Sequence, residues 1–387
     1  MRIAIVTPGF PSVSETFISN RAAYLSERGH HVTVFAVTIN HEMFNRLFAG
    51  NNNITLVGIH RKAIVKYLLL HPAAFKTSGG NGSFKKQVFT NARAAMINQT
   101  NPDIIHFEFS GMAVEFLEEM DKMKAGKVVS CRGTGEKVKL FTDKKRRENL
   151  QKVFKKIDLI HCVSDDIRRT IMPVCDDVSK TFINYPSIDT VRFQRSKDYS
   201  KHNEFLFLTI GRFTFQKGYL TGLLAIKQLK QKGIKFKWLI VGNGPQEEEI
   251  LFHINQMELH DCVELLGSKT REEIIELYHN VDLFFLPSVY EGIANVVLEA
   301  MSMELPVVCT MSGGMAEVIT HEVDGMLAEV YDSNLLAAHI EKLTHDFEMR
   351  KAMGKAARVK VQEKFNINLQ ATIFEQQYQK LLNEANA

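Results

Sequence analysis

Short apolar or β-branched runs bounded by turn residues alternate with longer amphipathic stretches along nearly the whole chain. That alternation is the pattern of repeated strand–helix units, in which helices cover a mainly parallel sheet on both faces. In the first half, residues 3–6, 32–37, 54–59, 104–109, 128–131 and 159–163 read as strands. A second series follows at 205–210, 236–241, 263–266, 283–286 and 306–310, trailed by helical patterns such as Arg271–His279. Ser12 or Ser14 can cap a helix beginning near Glu15, and Gly29 stands where that helix should stop. The polar stretch 189–203 reads as a linker, and near the end Ile373, Phe374, Tyr378, Leu381 and Leu382 form one apolar helix face.

A chain of 387 residues exceeds what one core usually supports. The fold class is therefore α/β, with two doubly wound, Rossmann-like domains: 1–188, and 189–369 followed by a terminal helix over 370–387. Tandem domains of this kind place the carboxyl ends of two sheets around one cleft, so function is expected in the loops that follow strands.

Hydrophobic content of 45% with 24% charged residues excludes a disordered chain. A net charge of +4 is too small to argue for nucleic acid. Five scattered cysteines, without paired spacing, read as free thiols of a reducing compartment. No basic segment followed by an apolar stretch opens the chain, and no apolar run approaches the ~20 residues that span a bilayer. The expected location is cytoplasmic, with any membrane contact peripheral. Residues 61–88 and 137–156 interleave Lys and Arg with Leu, Phe and Val, a composition that suits an anionic membrane surface as well as a solvated face.

Three loops carry chemistry. Glu291–Glu299 (EGIANVVLE) follows the strand at 283–286: Gly292 permits a turn, and a helix starting near Asn295 would offer free N–H groups and a positive dipole end to an anion. Glu299 would sit about one turn in, as an acceptor for a ribose diol, and Glu291 at the helix mouth. Gly211–Gly218 (GRFTFQKG) closes the first strand of the second half. Arg212, a planar fork, and Lys217, a point charge, can hold a diphosphate and stabilise it as it departs. The Gly242–Gly244 loop is either plain turn chemistry or a close backbone approach to ligand.

With these segments the chain resembles the GT-B glycosyltransferases of the large retaining family four. The resemblance rests on GRFTFQKG, VGNGPQEEEI, VELLGSKTREEIIELYHNVDLFFLPS, EGIANVVLEAM and LPVVCTMSGGMAEVITHEVDG. DLIHCVSDDI and FINYPSIDTVRF look like the family's passage between domains. FPSVSETFI is similar to a subgroup associated with exopolysaccharide and cell-surface glycan assembly. The resemblance implies that a sugar moves with retention from a nucleotide-sugar donor, UDP- or GDP-linked, to a glycan, lipid-linked or small-molecule acceptor. The leaving phosphate would act as base. Arg212, Lys217, Glu291 and Glu108 would be the catalytic set. Gly9, Gly211, Gly242, the backbone of Gly292, Ile293, Ala294, Asn295 and Val296, and Glu299 would line the donor. Glu15 and Arg132 would belong to the acceptor side, and the terminal helix would cross back to the first domain. Two departures stand out. The family often has H-x-H where this chain has His106-Phe107-Glu108, and a His-Gly pair where it has Arg132-Gly133. Glu108 and Arg132 are placed to pair, while His106 is expected to be a packed, hydrogen-bonded residue.

A nicotinamide dehydrogenase and a P-loop nucleoside triphosphatase lack their fingerprints here. A sugar-nucleotide epimerase and a noncatalytic nucleotide-sugar binding partner remain alternatives. No cofactor and no metal is expected: a D-x-D pair is absent, and the two cations can supply the positive charge.

Overall fold

In the computed structural model, which describes residues 1–12, 15–72, 84–199 and 204–386, strand β1 (Arg2–Phe10) buries every side chain from Ile3 to Thr7. Such strands are covered on both faces, which is why they read as continuous apolar runs instead of alternating ones. β1 belongs to a seven-stranded parallel sheet with β2 (His31–Ile39), β3 (Ile54–Gly58), β4 (Ile104–Phe107), β5 (Gly126–Cys131), β6 (Leu159–Cys162) and β7 (Thr181–Ile183), in the order 3-2-1-4-5-6-7. A second parallel sheet holds β8 (Phe205–Ile210), β9 (Phe236–Val241), β10 (Val263–Gly267), β11 (Leu283–Leu286), β12 (Val307–Thr310) and β13 (Met326–Ala328), in the order 10-9-8-11-12-13. The chain divides into Met1–Tyr185 with Asn368–Ala387, and Pro186–Ile367. In each sheet the winding reverses once, between β1 and β4 and between β8 and β11. Ligands of doubly wound sheets bind at the carboxyl ends there.

In the first unit, Ile3, Ile5, Val32, Val34, Ile104 and Val128 fill one core, while Ala4, Val6, Phe35, Ile105, Phe107 and Val129 fill another. The two sets alternate along the strands, as the pleat requires. The helix Ile367–Asn386 lays Phe374 and Tyr378 into the first of these cores, with Leu381 and Leu382 packed against it. In the second unit the core centres on Phe207, Trp238 and Phe285.

Several sequence expectations are corrected. β1 runs past the expected 3–6 to Phe10, so Gly9, expected to line the donor, lies within the strand and pairs with Thr38. β7 and β13, three residues each, were not expected, since so short a run carries almost no periodicity. The first helix is Thr16–Glu27; its N-cap is Glu15, without a side-chain cap, and Ser14 lies outside the described residues. Residues 189–199 are not a free linker. The buried Phe193 accepts at its carbonyl from Ser302 Oγ (2.6 Å) and Arg358 Nη1 (3.1 Å), and Tyr199 donates to Glu304 (2.7 Å). Residues 200–203 lie outside the described residues.

Candidate functional site

In the second unit, the loops leaving β8 and β11 are knitted together at the switch point. Gly218 has φ +64°, and a Cβ there would lie 2.0 Å from the Pro287 carbonyl oxygen, so only glycine admits this approach. Val289 N–H donates to the Gln216 carbonyl at 2.7 Å. The consequence is an ion pair between Lys217 Nζ and Glu291 Oε1 at 2.7 Å, with both side chains nearly buried. Ser288 Oγ donates to the same oxygen at 2.8 Å, and Gln216 Nε2 donates to Oε2 at 3.3 Å. Neither Gln216 nor Ser288 stood out in the sequence. Arg212 is exposed, and among the described residues no carboxylate lies within ion-pair distance of its guanidinium.

The helix Asn295–Ser302 follows Gly292, Ile293 and Ala294, and no side chain caps its N-terminus, which leaves Asn295 and Val296 at a positive dipole end. Glu299 lies one turn in, its side chain 13% exposed. Burial pushes its carboxyl up to about 7, against the nearby Arg271 guanidinium and a hydrogen bond from Tyr278. Tyr278 Oη is 3.2 Å from Glu299 Oε2 and 3.1 Å from the Val296 carbonyl, and Arg271 Nη2 is 3.5 Å from Oε1. Arg271 and Tyr278 were passed over in the sequence; two turns apart on one helix, they share a face, and that spacing was the available signal. Gly211 packs against the Lys217 stem. Gly242 has φ +152°, and a Cβ would lie 2.0 Å from the Gly211 carbonyl oxygen. The neighbouring loop therefore suffices to explain this glycine.

In the first unit, Glu108 follows β4 and is fully buried. Arg132 Nη2 donates to its Oε2 at 2.9 Å and Arg132 Nε to its backbone carbonyl at 3.1 Å, while Arg21 pairs with the other carboxylate oxygen. Glu108 pairs with Arg132 as the sequence led one to expect, and it also neutralises the buried Arg21. Burial lowers both Arg21 and Arg132 to about 10, which leaves them charged near neutrality. Each also lies over a ring, Arg21 on Phe374 at 4.2 Å and Arg132 on Phe17 at 4.1 Å. Arg21 sits among Phe17, Ile18, Ala22 and Leu25 of one helix, a charge on an apolar stripe that the sequence did display. Burial raises the Glu15 carboxyl, and Arg132 opposes that. Around Gly9 a Cβ would meet nothing closer than 3.9 Å, so no packing within the unit demands glycine.

His106 lies on the same face of β4 as Glu108, two residues before it and turned to Phe374 and Tyr378, in a buried hydrogen-bonded chain. His161 Nε2 lies 2.7 Å from the Asn184 carbonyl and must carry a proton. Its Nδ1 therefore accepts from Ser130 Oγ at 2.7 Å, Ser130 accepts from His106 Nε2 at 2.7 Å, and His106 Nδ1 accepts from Tyr378 at 2.5 Å. Burial holds both imidazoles well below the usual histidine range and keeps them neutral. Among the described residues no cluster of His, Cys, Asp and Glu suits a metal ion, and no helix is long and apolar enough to cross a membrane.

Two family models divide the chain between them. "Glycosyltransferase Family 4" matches residues 14–192 and "Glycosyl transferases group 1" matches residues 191–360. The chain belongs to the group 1, family 4 glycosyltransferases. Similar proteins include the amylovoran biosynthesis glycosyltransferase AmsK of Erwinia amylovora, 27% identical over 95% of this chain and 96% of the relative. The putative colanic acid biosynthesis glycosyltransferase WcaL of Salmonella typhimurium is 26% identical over the same shares. Among solved structures, sucrose-phosphate synthase from Thermosynechococcus elongatus superposes with a TM-score of 0.79 at 19% identity, covering 99% of this chain and 100% of that one. Anabaena HepE in complex with UDP gives 0.79 at 16% identity, over 98% and 99%. Those likenesses establish the GT-B fold for this glycosyltransferase.

Proposed function

We propose that this glycosyltransferase transfers a sugar, with retention, from a UDP- or GDP-linked donor to a glycan or lipid-linked acceptor during assembly of a surface or secreted polysaccharide. The observation that carries this reading is the Lys217–Glu291 pair, held at the β8/β11 switch point beside an uncapped helix with Glu299 one turn in. On donor binding, the Lys217 ammonium exchanges its carboxylate partner for the diphosphate, joined by the exposed Arg212 and the Asn295–Val296 N–H groups. Charge grows on the leaving diphosphate as the glycosidic bond breaks, and these groups are in place before it does. Glu291, released from Lys217, accepts hydrogen bonds from hydroxyls of the donor sugar, and Ser288 and Gln216 keep it aligned. Glu299 accepts from the ribose diol. The departing phosphate oxygen takes the acceptor's proton on the face where the new bond forms, so that no protein nucleophile is required.

The relatives acting in amylovoran, colanic acid and capsular polysaccharide biosynthesis support the pathway class, and the HepE complexes with UDP and UDP-glucose support the donor class. Two cations and a helix end supply the positive charge, which supports a reaction without a metal. Exposed Leu69, Leu70 and Phe84 beside Arg61, Lys62, Lys66 and Lys85, and exposed Phe141 beside Lys144 and Lys145, support docking of the first unit on an anionic membrane.

A panel of UDP- and GDP-sugars, incubated with the protein and a cell-derived acceptor pool, tests the reading. One donor should be consumed only when acceptor is present, and NMR of the product should show the donor's anomeric configuration. Consumption without acceptor would point to an epimerase, and binding without turnover to a noncatalytic partner.

A further inference from the structure

Glu299 is held from below by residues that never reach the helix mouth. The helix Arg271–His279 starts with a capping box, Thr270 with Glu273, which fixes Arg271 in its first turn and Tyr278 two turns on. Both side chains turn to Glu299. Beneath them lies Phe193, buried, 4.9 Å from the Arg271 guanidinium and packed edge-on to Tyr278 at 6.3 Å. Phe193 is itself pinned through its carbonyl by Ser302 Oγ (2.6 Å) and Arg358 Nη1 (3.1 Å), so its ring is a fixed platform. Ser302 closes the same helix that carries Glu299. The guanidinium thus has an aromatic face on one side and a carboxylate on the other, and its buried Nε has no hydrogen-bond partner among the described residues.

We infer that Arg271 and Phe193 are positioning residues for the ribose-binding carboxylate, which makes the chain just after the domain boundary part of the donor-binding apparatus. This rests on the reading of Glu299 as the ribose acceptor. Arg271 acts on the charge state as well as on the orientation of the carboxylate. Burial favours the protonated acid, which offers fewer acceptor sites to a diol, and Arg271 favours the carboxylate. The other groups facing Glu299 are Tyr278, which donates to it, and Arg192, a more distant cation paired with Glu272 at 2.8 Å. Neither can replace a guanidinium stacked against a ring.

The test is calorimetric binding of UDP and GDP to the intact protein between about pH 5.5 and 8.5, for wild type, Arg271→Met, Arg271→Lys, Phe193→Leu and Glu299→Gln. The nucleotide's own phosphate titration is common to all variants and cancels in the comparison. Wild-type affinity should rise through about pH 7. Arg271→Met should move that rise to higher pH by about a unit, costing about fivefold in affinity at neutral pH, approaching tenfold toward pH 5.5, and much less at the alkaline end. Arg271→Lys should restore part of the shift, and Phe193→Leu should show a smaller shift of the same sign. A role limited to packing would weaken binding equally at every pH, so an unmoved profile in Arg271→Met overturns the inference. If Phe193→Leu does not fold, the Arg271 variants decide alone. The two failures are distinguishable: Glu299→Gln with wild-type affinity removes the ribose reading itself, whereas weakened Glu299→Gln beside an unmoved Arg271→Met profile removes only the inference.

Discussion

Lys217 Nζ lies 2.7 Å from Glu291 Oε1, although the two residues leave different strands and are 74 positions apart. In the proposed function the pair supplies a cation for the leaving group and an acceptor for sugar hydroxyls, each partner holding the other's place until a donor divides them. Lys217→Met should lower kcat by roughly 10²-fold or more, in keeping with loss of one electrostatic group acting on the departing charge. Glu291→Gln should also reduce turnover, and the double variant should be less impaired than the sum of the two in free energy, because the residues act as a unit. Steady-state kinetics with the donor found in the panel decide it; strict additivity would show the pair to be incidental.

The raised Glu299 carboxyl has a consequence for stability. Its folded value of about 7 lies above the ordinary 4.5, so the folded state holds the proton more tightly. Its contribution to stability is therefore full below about pH 4.5 and is lost as pH rises through about 7. Glu299→Gln should accordingly be more stable than wild type at pH 8.5, by on the order of 3 kcal/mol and with a correspondingly higher melting temperature, and lose that advantage toward pH 4.5. The same difference at both ends of the range would mean that Glu299 is not titrating in the folded protein.

Glu108 gives a contrasting expectation. It is fully buried between Arg21 and Arg132, so Glu108→Gln leaves the buried Arg21 guanidinium and the partly buried Arg132 guanidinium facing a neutral amide. Breaking such a group by removing one partner costs about 3–5 kcal/mol. The variant should melt well below wild type while turnover per folded molecule changes little. A large kcat loss at unchanged melting temperature would return Glu108 to the sugar side.

Most of the architecture was legible because buried parallel strands are apolar along their whole length: every strand of five or more residues lies on a run visible in the sequence. The three-residue edges Thr181–Ile183 and Met326–Ala328 were not, because so short a segment owes its conformation to the neighbour it pairs with. The polar cast of 189–203 concealed Phe193, whose role depends on Ser302 and Arg358, more than a hundred residues away. In the site, the charged loops announced themselves by position after strands. Their supports did not: Ser288 and Gln216 are ordinary loop residues until they meet on Glu291. A packed, hydrogen-bonded His106 was expected, but its partner Tyr378 comes from the far end of the chain. Arg21 could have been flagged as a charge inside an apolar stripe, though only the fold reveals Glu108 as its counterion.

The exposed Leu69, Leu70, Phe84 and Phe141 beside lysines and arginines predict binding to liposomes containing anionic lipid, weakening as salt rises. Several nearby lysines are already paired, Lys86 with Glu118 and Lys156 with Asp121 among them, so the effect should be modest and reversible. Flotation with neutral and anionic vesicles measures it. Equal recovery with both would show that the charges serve only solvation.

Binding of the donor by the loops after β8 and β11 is tested most directly by thermal melting of the intact protein against a panel of UDP- and GDP-sugars. One nucleotide-sugar at 100 times its Kd should stabilise wild type by about 2.7 kcal/mol, and the same concentration should leave a folded Arg212→Ala/Lys217→Ala double variant close to its unliganded melting temperature. A panel that shifts nothing, or a shift undiminished in the double variant, would contradict it.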